Sequence, residues 1–349
     1  MEVAGVLNYL LHGQTLGEAE AEAVFCELLE GRMNDPQIAA VLTLIACRGP
    51  TVDELVGGAR AMRRFVTPVP AAAEQPGMLG PIIDTCGTGG APKTFNISTA
   101  AAIVTAAAAG PSRVRVAKHG NRSRSGRGSA EVLAALGVNV DASPAVQARC
   151  LDEVGVCFCF AIHAHPAMKH AATVRRALGF PTIFNLLGPL TNPARATRQV
   201  IGVYGREEAE KVAHALARLG ADRAMVVHGF DGMDEITTRD RTHVFAVQDG
   251  RVYMSAFDAQ DAGVARAPAG ALEAADLDHS VSMVRGVIEG DDDESLEHPR
   301  RIVTLNAGAA LMVAGVVAGI VDGMQMAGEA IDSGGAARKL QQLVDASMR

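Results

Sequence analysis

Two glycine-rich segments of this 349-residue chain carry the residue types that hold anions. The first, Asp84-Thr-Cys-Gly-Thr-Gly-Gly90, follows the apolar Pro81-Ile-Ile and runs, three residues on, into Thr94-Phe-Asn-Ile-Ser-Thr99 at the start of an Ala-rich stretch. Glycines let backbone N–H groups close on an anion, and a helix N-terminus adds free donors and a favourable dipole. Pro92 stands where a dinucleotide fingerprint needs its third glycine, and the segment lacks the Gly-Lys-Ser/Thr of a Walker loop. A capped strand-to-helix turn would use the same residues without binding anything.

The second segment, Lys118-His-Gly-Asn-Arg-Ser-Arg-Ser-Gly-Arg-Gly-Ser129, packs four cations among serines and glycines in a chain of net charge −7. That local inversion of sign suits a small polyanion such as a pyrophosphate or sugar phosphate, although a solvated basic loop would carry the same charges. A third segment, His228-Gly-Phe-Asp-Gly-Met-Asp-Glu235, ends in two carboxylates. Facing a polyphosphate, Asp234 and Glu235 could bridge it through Mg²⁺, which prefers hard oxygens shared with phosphate. Alone, such a pair is ordinary surface acid. In the fourth, Val174-Arg-Arg-Ala-Leu-Gly179, the two arginines suit the last turn of a helix by its dipole, or one of them reaches a substrate carboxylate.

Elements must bring these segments together. Thr15-Leu-Gly-Glu18 and Thr51-Val-Asp-Glu54 match the capping-box pattern, and Asp35-Pro36 offers a cap followed by proline, so residues 1–65 read as a small all-α unit. Pro68, Pro70, Pro76 and Pro81 make 66–81 a junction. Beyond it strands alternate with helices: strands at Val114–Ala117, Val156–Ile162, Gln199–Tyr204 and Ala224–Val227, and helices near 98–109, 129–136, 144–154, 166–178 and 206–219. This alternation predicts an α/β domain with a central, mostly parallel sheet. His243–Val247 and Arg251–Met254 flank Gln248-Asp-Gly250 and predict an antiparallel hairpin.

Composition narrows the function further. With 32 basic against 39 acidic residues, a large nucleic-acid surface is not expected. The chain has 37 glycines and no tryptophan, which predicts close small-residue packing. Its six cysteines lack metal-ligand spacing, and Cys157 and Cys159 read as core residues of a reducing, cytoplasmic setting. Glu2 and the lack of a basic start predict no signal peptide. The charge-free run Val303–Val321, interrupted by Thr304 and Asn306, reads as a buried core helix and not a membrane span.

Together, Thr94-Phe-Asn-Ile-Ser-Thr99, Lys118-His-Gly-Asn121 and Thr182-Ile-Phe-Asn-Leu-Leu-Gly-Pro-Leu-Thr-Asn-Pro193 resemble the anthranilate phosphoribosyltransferase family over nearly the whole chain. The resemblance implies a small N-terminal all-α domain, completed by helices around 166–192 and hinged to a larger α/β domain of 82–165 and 198–349. It also implies a homodimer through the helical domain, Mg²⁺ as cofactor, and phosphoribosyl pyrophosphate and anthranilate as substrates. By position, Gly87, Gly90, Thr94, Asn96, Ile97, Ser98 and Thr99 would hold the pyrophosphate donor. Lys118, His119, Gly120, Asn121, Arg122, Ser123, Ser125 and Ser129 would close over it. Ser98, Asp234 and Glu235 would serve the metal, while Asn121, Arg175 and His119 would meet anthranilate.

Two positions depart from the family pattern. Ala91 stands where an Asp usually follows Gly-Thr-Gly-Gly, and Arg124, Arg127 and Gly128 stand where Ser, Lys and Ser are common. Both loops are one residue short. The changes make the donor site less acidic and more basic. A pyrimidine-nucleoside phosphorylase and a noncatalytic nucleic-acid-binding relative are the rival readings. The Asn185–Pro193 segment and the acidic pair weigh against the first; the net charge of −7 and the acidic pair weigh against the second, which the Arg-rich loop keeps open.

Overall fold

The computed structural model describes residues 2–75, 77–89, 94–123 and 126–349. Four helices open the chain: α1 Val3–Leu11, α2 Glu18–Leu29, α3 Asp35–Arg48 and α4 Val52–Arg64. The Thr51 box forms as expected, with Thr51 Oγ1 accepting Glu54 N–H (3.2 Å) and Glu54 accepting Thr51 N–H (2.9 Å). The Thr15 box does not form. The Leu16 N–H is taken instead by the fully buried Glu54 (3.1 Å), so the chain stays extended to Gly17, which caps α2. Likewise Asn34, not Asp35, caps α3, because Asn34 and Gln37 exchange reciprocal bonds of 3.0 Å.

The junction is tied down. Arg115, fully buried, donates to the carbonyls of Gly80 (2.9 Å) and Ala72 (2.8 Å) and pairs with Asp152 (2.5 Å). Beyond it come β1 Ile82–Gly87, α5 Ile97–Ala109, β2 Arg115–Gly120, α6 Ser129–Ala135, α7 Pro144–Arg149 and β3 Val156–Phe160. Then follow α8 Ala161–Ala164, α9 Lys169–Leu178, α10 Ile183–Leu187, β4 Arg198–Gly202, α11 Arg206–Arg218 and β5 Arg223–Gly229. The chain ends with β6 Arg241–Gln248, β7 Arg251–Asp258, α12 Leu277–Glu289, α13 Glu297–Val313, α14 Ile320–Asp332 and α15 Gly335–Ser347.

The seven strands form one sheet in the order β3-β2-β1-β4-β5-β6-β7. The first five run parallel, and β6 and β7 add the expected antiparallel hairpin. Its turn places Asp249 at φ 51° and Gly250 at φ 70°, the geometry that Asp-Gly favours in a two-residue hairpin loop. From β1 the chain winds to β2 and β3 on one side and then to β4 on the other. That reversal opens a crevice at the C-terminal end of β1, where open parallel sheets bind ligands.

Both faces of the sheet are covered, so successive residues on the central strands enter different cores. Val200, Met225 and Val227 pack with α5 and α12–α15, whereas Ile201, Ala224 and Val226 pack with α11 and the N-terminal helices. The expected helix over Val303–Val321 is broken: α13 stops at Val313 and α14 starts at Ile320, with Gly315 at φ 76° between them. The break lets α14 fold back so closely that a Cβ on Gly308 would lie 2.7 Å from the Met324 nitrogen. Among the described residues no helix is long and apolar enough to cross a membrane. All six thiols are free, and all but Cys47 are buried.

Candidate active site

The C-terminal end of β1 is built around Asp84, which is completely buried. One of its oxygens accepts the His119 N–H from β2 (3.0 Å), and the other accepts the Asn192 carboxamide (2.8 Å), which also donates to the Ala117 carbonyl (2.8 Å). Three chain segments therefore meet on one carboxylate. Burial raises its pKa, and those bonds together with the charge of Lys118 oppose the rise. Next along β1, Lys118 Nζ donates to the Thr85 carbonyl (2.6 Å) and to Ser98 Oγ (3.2 Å). Burial pushes the Lys118 ammonium below its ordinary range, against the pull of Asp84, Cys86 and Glu235.

Helix α5 begins at Ile97 without a side-chain cap, because the Asn96 carboxamide is used elsewhere. Asn96 accepts from Ser280 Oγ (2.7 Å) and donates to the Arg127 carbonyl (3.2 Å). Glu235 approaches the start of α5 at Ser98, whose backbone N–H and hydroxyl oppose the rise of its carboxyl pKa. The pKa of its neighbour Asp234 is pulled down by the Gly89 N–H against burial, and a Cβ on Gly87 would lie 3.0 Å from an Asp234 oxygen. The acidic pair thus straddles the two halves of the first glycine-rich segment. Burial, reinforced by the charge of Asp234, lifts Glu235 to about 8, and burial lifts Asp234 as well.

That donor set fits Mg²⁺. Two carboxylates and the Ser98 hydroxyl are hard oxygens, and burial raises both carboxylates despite the pull of Lys118 on Glu235. Among the described residues no three His, Cys, Asp or Glu side chains converge, so the protein alone offers fewer oxygens than a complete Mg²⁺ shell. Mg²⁺ sites of this kind take the remainder from phosphate and water.

His119 and His165 form the other wall, with ring centroids 5.1 Å apart. Burial, with a smaller push from His165, holds His119 at about 3, and burial holds His165 at about 4, so both rings are neutral. His119 bonds to the Gly188 backbone, and its Nε2 is buried with no partner among the described residues. His165 Nε2 lies 3.4 Å from Thr191 Oγ1. The Thr182–Pro193 segment therefore touches both histidines and Asp84. Through α10 it also reaches the helical layer, where Phe184 packs edge-on against Phe25 at 5.6 Å. Arg175, in the last turn of α9, is half-buried with its guanidinium 5.2 Å from the Phe184 ring centre, while Arg176 is exposed. Gly179 ends that helix in the left-handed conformation, as expected.

The structure brings Gly87, Ser98, Lys118, Asp234 and Glu235 together at the end of β1. Lys118, His119 and Gly120 lie within β2, which ends three residues later than expected, so the basic loop proper starts at Asn121. The side chains of Ile97 and Thr99 turn into the core, each 1% exposed, and their N–H groups donate to the carbonyls of Phe95 (2.8 Å) and Asn96 (3.1 Å). Thr94 is tied to Glu273 in an isolated bridge. Asn121 and Arg122 are exposed, the latter 5.7 Å over the Phe160 ring, and Ser123 Oγ accepts the Arg127 N–H (2.9 Å). Ser129 opens α6 beside Gly120, where a Cβ would collide with its hydroxyl. Arg127 donates to the Ala274 carbonyl. Gly90 and Ser125, with Ala91, Pro92 and Arg124, lie outside the described residues.

Three positioning side chains escaped the sequence reading: Asp84, Asn192 and Ser280. Asp84 and Asn192 stand inside quoted motifs, but their bond joins residues 108 apart in sequence. Ser280 carries no local signal at all.

The sequence matches the glycosyl transferase family, helical bundle domain, over residues 5–66 and the glycosyl transferase family, a/b domain, over 79–337. An anthranilate phosphoribosyltransferase of Thioalkalivibrio sulfidiphilus is 48% identical over 331 residues, covering 94% of each chain. That of Geobacillus kaustophilus is 43% identical over 340 residues, covering 97% of this chain and 96% of its own. Among solved structures, the anthranilate phosphoribosyltransferase of Thermus thermophilus superposes with a TM-score of 0.89 at 36% identity, covering both chains completely. The enzyme from Saccharomyces cerevisiae, solved in complex with phosphoribosyl pyrophosphate and Mg, shares the fold with a TM-score of 0.87 at 22% identity, covering 99% of this chain and 98% of its own. The chain belongs to the anthranilate phosphoribosyltransferase family.

Proposed function

We propose a residue-level account of how this site carries out its reaction. The enzyme transfers the phosphoribosyl group of 5-phosphoribosyl 1-pyrophosphate to the amine of anthranilate, a step of tryptophan biosynthesis. The anomeric C–O bond breaks, a C–N bond forms, pyrophosphate departs and the amine loses a proton. The products are N-(5-phosphoribosyl)anthranilate and pyrophosphate. The observation that carries the site assignment is the junction of Lys118, Ser98 and Glu235 at the pole of α5, beneath the end of β1.

The donor's phosphates are held by Gly87 and Gly90, by Thr94, Asn96, Ile97, Ser98 and Thr99 around the start of α5, and by Lys118. The segment His119, Gly120, Asn121, Arg122, Ser123, Ser125 and Ser129 encloses them. Helix pole and ammonium both favour negative charge as it collects on the leaving pyrophosphate. Ser98, Asp234 and Glu235 hold Mg²⁺, which when bound withdraws charge from that leaving group. No covalent nucleophile is needed, since a neutral arylamine already attacks. Orientation carries the remaining burden: Arg175 pairs with the anthranilate carboxylate, and Asn121 and neutral His119 line the ring's site.

The helices around 166–192 complete the N-terminal helical domain, and the rest of the chain beyond the 66–81 junction forms the donor-binding domain. Two copies associate through the helical domain, whose α1 exposes Tyr9 and Leu11. The enzyme works in the cytoplasm. Loss of anthranilate fluorescence that requires both phosphoribosyl pyrophosphate and Mg²⁺ tests the reading. Phosphate-dependent release of uracil or thymine from a nucleoside, without that loss, would replace it with a nucleoside phosphorylase.

A further inference from the structure

We propose that Asn306, on α13 and outside every motif that carries the chemistry, is a positioning residue for the acidic pair Asp234–Glu235. Asn306 Oδ1 accepts the Ile236 N–H (3.0 Å), while Nδ2 donates to the carbonyls of Ile236 (3.0 Å) and Ile302 (2.9 Å). The side chain is 4% exposed and Ile236 is 1% exposed. A polar side chain in an apolar helix is costly to bury unless its groups are satisfied. Asn306 sits among Val303, Leu305, Ala307 and Ala309, all completely buried. Its carboxamide is nonetheless fully employed, and two of its three bonds go to one residue of another segment.

That residue follows Glu235 directly. Ile236 lies between the end of β5 and the start of β6, where no strand ladder can pair its backbone. Asn306 supplies the pairing. By holding the N–H and the carbonyl of Ile236 together, it fixes the peptide planes on both sides of that Cα. The first of those planes begins at Glu235, so the backbone that carries its carboxylate is held in place. The rest of the loop is braced internally: Asp231 accepts the Met233 N–H (3.2 Å) and the Thr237 hydroxyl (2.8 Å). Asn306 thus links the acidic loop to the helical layer behind the sheet. Partners of this kind, one step removed from the groups that bind, change metal affinity by about 10–100-fold when removed.

The inference rests on the proposed role of the acidic pair in holding Mg²⁺ with the donor, and the test separates the two. Mg²⁺–phosphoribosyl pyrophosphate is titrated calorimetrically into the wild-type protein, Asn306→Ala and Asn306→Asp, with steady-state constants measured for both substrates. Asn306→Asp keeps the size and the acceptor for the Ile236 N–H but loses the donors. We expect donor binding about 10-fold or more weaker in Asn306→Ala, a matching rise in donor KM, and anthranilate KM within about twofold of wild type. Asn306→Asp, which sets a carboxyl oxygen against the carbonyls of Ile236 and Ile302, should weaken donor binding at least as much. Donor binding unchanged in either folded variant, with only a lowered Tm, overturns the proposal, and so does failure of both variants to fold, which would make the residue a structural plug. A wild-type protein that binds no Mg²⁺–phosphoribosyl pyrophosphate overturns the functional reading itself and this assignment with it.

Discussion

Glu235 stands beside Ser98 at the start of α5, where the Ser98 backbone N–H and hydroxyl both pull its carboxyl pKa down against burial. The same hydroxyl accepts from Lys118 Nζ. One serine therefore joins the cation beneath the site to the anion above it, at the end of the strand where a ligand would enter. The consequence is electrostatic: the start of α5, the ammonium and the acidic pair form one coupled group, and each member affects how the others meet a polyphosphate.

Ser98→Ala keeps the backbone N–H beside Glu235 and deletes the hydroxyl. Donor kcat/KM should fall by about 10–100-fold, with thermal stability nearly unchanged. Steady-state kinetics at saturating anthranilate measures this, and a variant within twofold of wild type would remove Ser98 from the site.

Lys118→Met retains the buried stem and removes the charge. Because the ammonium offsets the buried carboxylates of Asp84 and Glu235, Tm should fall, while kcat falls by about 100–1,000-fold as charge on the leaving pyrophosphate goes unmatched. A lower Tm with kcat preserved would assign Lys118 to the fold alone.

Arg175→Ala should raise the anthranilate KM by about 10–100-fold and leave the donor KM near its wild-type value, since a charge-assisted pair with the substrate carboxylate is lost. Equal effects on both substrates would show that the arginine acts through α9 packing against Phe184 instead.

Asn192→Ala leaves one oxygen of buried Asp84 unpaired. Denaturant unfolding should register a loss of about 2–3 kcal/mol, the range for a hydrogen bond to a buried charged group. A loss under half a kcal/mol would mean that Asp84 finds another partner or is held neutral.

His119 and His165 make folding sensitive to acid. Both are held neutral, at about 3 and about 4 respectively, well below the usual histidine value near 6.5. The unfolded chain therefore binds protons that the folded one refuses. Their stability is complete above about pH 6.5 and is lost as pH falls from there towards 4 and then 3. His165→Gln should flatten the decline between pH 6 and 4.5 by roughly one proton, about 1.4 kcal/mol per pH unit. Superimposable stability curves for variant and wild type would contradict the burial argument.

What the sequence could disclose followed the range of the interactions involved. The Thr51 box and the Asp249-Gly250 turn are complete within a few residues, and both form as read. The Thr15 box obeys the same local pattern, yet it yields to Glu54, which lies 38 residues beyond Leu16 and takes its N–H. The acidic pair was legible as chemistry but not as geometry, because its carboxylates acquire their place only beside Gly89 and Ser98, far upstream. Asn306 was visible as a polar interruption of an apolar run. Its reason for being there is 70 residues away, at Ile236.

The central claim is that one site joins Mg²⁺-dependent loss of pyrophosphate to capture of an arylamine. The most direct measurement follows anthranilate fluorescence and released pyrophosphate in the same reaction, over a titration of Mg²⁺, for the wild-type protein and Glu235→Gln. The account predicts one pyrophosphate released per anthranilate consumed, no turnover without Mg²⁺, and a Mg²⁺ requirement shifted to higher concentration in the variant. Turnover that ignores Mg²⁺, or pyrophosphate released without consumption of anthranilate, would contradict it.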